Sequence, residues 1–144
     1  MREIKFRAWN GRVKQMAQYV TAIQMGDTQG TPSSVNVIVN GHNETWEVEH
    51  DKVELLQYTG LEDIYLEDIY ESDILRVTGE NDESYVATVK WFGDEYYPAF
   101  DLESIPAAWN YDANALSTIL NSGFETCEVI GNIHENTELL EDEK

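Results

Sequence analysis

Residues 4 to 9 alternate cleanly, with Ile4, Phe6 and Ala8 on one face and Lys5, Arg7 and Trp9 on the other. A period of two is that of a half-buried strand. A second short strand is expected over Met16 to Thr21, and the small polar run from Gly26 to Ser34 reads as a loop. Val35 to Val39 and Thr45 to Glu49 flank Asn40-Gly41-His42-Asn43. Asn-Gly tolerates the positive φ angles of a tight turn, so these two runs are predicted to form a hairpin. Val53 to Tyr58 is expected as a strand stopped by Thr59-Gly60, with Gly60 free to take a left-handed angle.

A local duplication follows: Glu62-Asp63-Ile64-Tyr65, then Glu67-Asp68-Ile69-Tyr70. Its five-residue offset matches neither helix nor strand, so the segment reads as irregular or as a single helical turn. Ile74 to Val77 and Tyr85 to Phe92 predict another hairpin around Gly79 to Glu83, with Phe100 and Leu102 as a third strand. One helix is predicted, over residues 113–121: Asp112 stands at the N-cap, Leu116, Ile119 and Leu120 form the stripe, and Gly123 ends it. Glu125 to Ile133 is the last predicted strand, and Gly131 inside it suggests a bulge or a close backbone approach. The pattern therefore predicts a mainly β fold, with antiparallel strands in a barrel- or sandwich-like arrangement and one short helix near residues 113–121. The length of 144 residues fits a single domain, within which sub-regions 1–52 and 53–144 would share a core.

Composition narrows the function. Hydrophobic residues make up 42% and aromatics 11%, enough for a core. No apolar run is long enough for a membrane-spanning helix, and the opening residues lack a secretory signal core. The lone Cys127 allows no internal disulfide, so a cytoplasmic, reducing compartment is expected. The chain carries 28 acidic and 9 basic side chains, a formal net charge of −19. Phosphate binding needs clustered Lys and Arg, so direct nucleic-acid binding is not expected, nor is binding to an anionic membrane. Dense carboxylates either keep the protein soluble or imitate a phosphate backbone for a basic groove on another protein.

Catalytic signatures are missing. There is no Gly-x-Ser-x-Gly elbow and neither of the glycine-rich phosphate-binding motifs, and Cys127 sits in an apolar strand where a thiol is usually inert. His42, His50 and His134 have no ligand spacing, and the calcium-loop pattern does not occur, so no metal and no cofactor is expected.

Three ordered blocks resemble the YopX family, small proteins encoded by phages and prophages of bacteria. They are Arg2 to Asn10, then Leu56 to Leu61 continuing to Glu67 to Leu75, then Glu128 to Asn136 with Glu138-Leu139-Leu140. This chain departs from the family at Ile64-Tyr65-Leu66, where a glycine-containing turn is usual, which would create an apolar contact surface of its own. Ser72 stands where a glycine is common and Thr137 where a proline is. The resemblance implies a mainly β fold, self-association into a homo-oligomer and a phage accessory gene acting in the bacterial cytoplasm, and it carries over no catalytic residue.

The expected function is thus non-enzymatic: a phage accessory protein that mimics nucleic acid and inhibits a basic host protein handling nucleic acid or defence. The residues expected to meet that partner are Glu62, Asp63, Tyr65, Glu67, Asp68 and Glu71 in the duplicated segment, with Asp94, Glu95, Tyr96 and Tyr97 further on. Two alternatives stand beside it. One is an oligomer sequestering a nucleotide-like ligand with aromatic loops and Arg2, Lys5 and Arg7. The other is a hydrolase using two carboxylates, which would require a deep cleft.

Overall fold

Asn40 and Gly41 both take positive φ, +51° and +81°, in the computed structural model of the chain. That is the requirement of a two-residue hairpin turn whose twist matches its strands. The structure describes residues 3–27, 30–91, 100–103, 116, 119 and 125–141, the side chain of residue 141 excepted. Among them are eleven strands and a short helix, and every strand pair whose register is resolved is antiparallel.

The strands are β1 (Phe6–Asn10), β2 (Gln15–Met16), β3 (Tyr19–Met25), β4 (Pro32–Val39), β5 (His42–Glu47) and β6 (Val53–Glu62). They continue with β7 (Asp68–Tyr70), β8 (Asp73–Thr78), β9 (Ser84–Trp91), β10 (Phe100–Glu103) and β11 (Thr126–Asn132). The helix, α1, is Glu138–Glu141. Of the helix predicted over residues 113–121 only Leu116 and Ile119 are described, and both are helical and fully buried. The rest of that helix lies outside the described residues.

The chain divides into two compact units, Met1–Tyr58 and Thr59–Lys144, and the division falls inside β6. In the first unit β4 lies between β3 and β5, while β1 lies between β2 and β6. Val35, Val37 and Val39 point one way from β4 and pack with Trp46, Ala8 and Ala17. Period-two burial on a strand thus builds the core that the alternation predicts.

In the second unit the order is β10-β9-β8-β11. Leu75 pairs across to Ala87 and Val129, and Val77 to Tyr85 and Cys127, so one face of three strands is continuous and apolar. Leu116, Ile119 and Ile69 cover it. Burying each such aliphatic side chain contributes about 1.5–3 kcal/mol. The carboxylate of Asp101, only 1% exposed, accepts hydrogen bonds from the amides of Leu102 and Leu116, both 2.8 Å, and so ties the helical residue to β10.

Thr59-Gly60 does not stop its strand. Gly60 takes the left-handed angle, φ +88°, inside β6, and the Thr59 hydroxyl donates to the Ile69 carbonyl at 2.8 Å, so the ladder runs on to Glu62.

Ser72 joins β7 to β8 at φ +74°, with its amide on the Val89 carbonyl and its own carbonyl accepting from Ile133. That angle strains a non-glycine residue by about 1–2 kcal/mol; glycine relieves the strain, and its greater unfolded-state entropy offsets part of the gain. Ser72→Gly is therefore expected to stabilise the protein by about 0.5–1 kcal/mol. Thermal denaturation checks this: Tm should rise by roughly 2–4 °C, and an unchanged or lower Tm contradicts it.

Candidate functional site

Between β6 and β7 the backbone makes a turn in which five consecutive amides are all bonded. The amide of Asp63 donates to the Glu67 carbonyl, that of Ile64 to the Cys127 carbonyl and that of Leu66 to the Asp63 carbonyl, at 2.9–3.0 Å. The Asp63 carboxylate takes the other two with one oxygen: Tyr65 N at 2.8 Å and Glu67 N at 2.9 Å. Its second oxygen accepts from Val129 N at 2.9 Å, which fastens the turn to β11. A short acidic side chain that accepts from amides just ahead of it is the local chemistry that favours such turns.

Three large apolar side chains stand on this fixed turn. Ile64 is 53% exposed, Tyr65 68% and Leu66 75%, and Leu66 is held at φ +64°. Exposed Glu62 and Glu67 flank them, and neither carboxylate is in an ion pair among the described residues. Contiguous exposed apolar surface with a charged rim marks interaction sites more often than chance.

The expected residues are thus divided. Glu62, Tyr65 and Glu67 reach solvent, and Asp68 and Glu71 are half-buried with partners of their own. Asp63 is corrected from a surface contact to a buried structural group, 4% exposed, because three amides need its oxygens. Asp94, Glu95, Tyr96 and Tyr97 lie outside the described residues. The site also includes Ile64 and Leu66, which charge alone does not select. Their signal is an apolar triad set between two Glu-Asp pairs.

Buried carboxylates elsewhere do similar structural work. Asp73 accepts from Tyr70 N at 2.8 Å. In the first unit, Asp51 accepts from Arg12 Nε at 2.8 Å, from His50 Nδ1 at 3.1 Å and from Glu47 N at 3.0 Å. Arg12 above all holds the Asp51 carboxyl below its ordinary value of 3.8, against the opposing effect of desolvation. A carboxylate with a depressed native pKa stabilises above its unfolded value, and that contribution is lost as pH falls through the native one. Asp51→Asn should therefore lower stability at pH 7 and flatten the loss of stability below about pH 4, as followed by denaturant titration across pH. An unchanged acid limb would contradict this.

The buried Cys127 thiol is pushed up to about 11, by burial and then by the Asp63 charge, so it stays protonated at neutral pH. Among the described residues no group of three or more His, Cys, Asp or Glu side chains is placed to hold a metal ion. No helix of the described residues is long and apolar enough to cross a membrane. An open cleft of about 1010 Å³ lies in the first unit, lined by Gln24, Asp27, Ser34, Glu47, Glu49 and His50 among others.

Two bacterial proteins are among the solved structures that share this architecture. Protein EF1440 from Enterococcus faecalis is 24% identical with a TM-score of 0.66, covering 97% of this chain and 99% of its own. Protein yopX from Bacillus subtilis is 19% identical with a TM-score of 0.60, covering 96% and 98%. At these identities the likeness establishes the fold. No protein with a curated description matches the chain. The model of the YopX protein family matches residues 5–141, nearly the whole length, with most of both units and the turn at residues 63–66 inside the match. The chain belongs to the YopX family.

Proposed function

We propose that this protein acts by binding rather than catalysis, as a phage accessory protein whose carboxylates engage a basic surface of a host protein that handles nucleic acid. The observation that carries this reading is the exposed carboxylates of Glu62 and Glu67, unpaired among the described residues, beside a rigid turn, in a chain where 9 basic side chains stand against 28 acidic ones. Such a surplus leaves most exposed carboxylates to attract cations from outside the chain.

The nucleotide-sequestering alternative draws no support from the cleft of the first unit. Asp27, Glu47 and Glu49 line it without a lysine or arginine, a wall that repels phosphate. Lys5 is engaged by Glu3 at 2.8 Å and sits 4.7 Å from the centre of the Tyr58 ring.

The test is capture from a bacterial host lysate on the immobilised protein, at about 0.05 M and 0.5 M salt. Screening shortens the reach of exposed charge from roughly 10 Å at 0.1 M to about 3 Å at 1 M. Retention of a basic nucleic-acid-handling protein at low salt, released at high salt, is the expected result. Capture indifferent to salt, or no such protein retained, overturns the reading.

A further inference from the structure

We propose that the Ile64-Tyr65-Leu66 tip and the carboxylates of Glu62 and Glu67 form one docking surface, which receives a cationic amphipathic segment of a partner protein. This rests on the binding function proposed above and adds that the apolar tip, not the charge, anchors the contact.

The tip is already ordered. All five amides from Asp63 to Glu67 are hydrogen-bonded, two to the Asp63 carboxylate and one to the Cys127 carbonyl of a neighbouring strand. Docking such a turn loses little conformational entropy, and ordering entropy is a main opponent of contacts made by loops. The three side chains are 53%, 68% and 75% exposed, so most of their surface remains to be buried. A tyrosine between two aliphatic residues matches the composition of interface anchors, which concentrate binding energy at a few apolar or aromatic positions. Leu66 keeps φ +64°, an angle a glycine would hold without strain, which places a large apolar side chain at the apex.

The charges select the occupant. A second copy brings the same net charge of −19 and the same glutamates, so self-docking at this tip is repulsive. Nucleic acid and anionic lipid are repelled likewise. A helix or strand with leucine-like side chains on one face and lysines or arginines at its edges fits both parts: apolar groups against Tyr65 and Leu66, cations against Glu62 and Glu67. In that arrangement the carboxylates speed and steer encounter while the tip sets the dissociation rate.

The experiment uses the full chain and two synthetic probes with the same number of lysines and so the same charge, an amphipathic Leu/Lys helical peptide and a shorter oligolysine, titrated by calorimetry at low and high salt. The wild type is expected to bind the Leu/Lys peptide about tenfold or more tighter than oligolysine. The double variant Tyr65→Ser/Leu66→Ser should erase that difference and leave oligolysine binding unchanged. Glu62→Gln/Glu67→Gln should weaken both probes and flatten their salt dependence. These side chains are on the surface, and near-UV circular dichroism verifies that each variant is folded. Equal, salt-dependent affinity for the two probes overturns the anchoring role while the carboxylate reading survives. No affinity for either probe at low salt overturns both. A dimer in sedimentation that the serine variant dissolves assigns the tip to a second copy and overturns the proposed occupant.

Discussion

Asp63→Ala should destabilise the protein by about 3 kcal/mol, because a carboxylate accepting three amides is removed from a site 4% exposed. Each charge-assisted bond contributes about 1.5–3 kcal/mol, and relaxation of the turn towards water recovers part of the loss. Urea denaturation followed by circular dichroism measures it, with a fall in Tm of roughly 10 °C as the companion observation. Asp63→Asn separates the two oxygens. An amide side chain still offers one oxygen to Tyr65 and Glu67, but its NH₂ then meets the Val129 N–H, donor against donor, for a smaller loss of about 1–2 kcal/mol. A stability within about 0.5 kcal/mol of wild type for the alanine variant would mean that the three amides reach water without the carboxylate.

Gly131→Ala carries the second large effect. A Cβ there would lie 2.6 Å from Asn136 Oδ1, 2.7 Å from its Cγ and 2.9 Å from its Cβ. Asn136 has little room to move. Its Oδ1 accepts from Asn132 N at 3.1 Å, and its own amide donates to the Asn132 carbonyl at 2.9 Å. Asn132 in turn accepts from His134 N and Glu135 N and donates to the Glu135 carboxylate, so the displaced group belongs to a closed network. The expected loss is about 2 kcal/mol. A double-mutant cycle isolates the cause: on an Asn136→Gly background, where the obstructing side chain is gone, Gly131→Ala should cost under about half as much. Additive losses would place the strain in the backbone of β11 instead.

The role of Gly131 is legible in the sequence because a glycine weakens a strand interior, so a strand that contains one usually bends or is closely approached there. Both occur: the register of β11 against β8 shifts between Val129 and Gly131, and the backbone passes close to Asn136. The Asn40-Gly41 hairpin is legible on similar grounds, a backbone conformation that few residues accept. Thr59-Gly60 misleads because a left-handed glycine fits inside a strand as readily as at its end, and hydrogen-bond partners outside the local run decide between them. The charge count is right as arithmetic yet does not separate Glu62 and Glu67, which face solvent, from Asp51, Asp63, Asp73 and Asp101, which accept backbone amides inside the fold.

The duplicated Glu-Asp-Ile-Tyr shows where local information ends. In the first copy Ile64 is 53% and Tyr65 68% exposed on a turn; in the second Ile69 is 0% and Tyr70 8% exposed in a strand. Identical side chains have identical intrinsic propensities, so nothing within either tetrapeptide distinguishes them. The difference lies in their neighbours. Val129, 66 residues beyond Asp63, donates its amide to that aspartate, and Cys127 offers its carbonyl to Ile64, so the first copy is bent around its carboxylate. The second copy lies along β6, and its isoleucine fills the core under β8 and β9. Alternation, turn chemistry and net charge were written in the sequence because each depends on residues close together or on a sum. Which carboxylates are occupied internally, and which apolar side chains are left at the surface, was decided only by tertiary structure, because both depend on hydrogen-bond partners from distant strands.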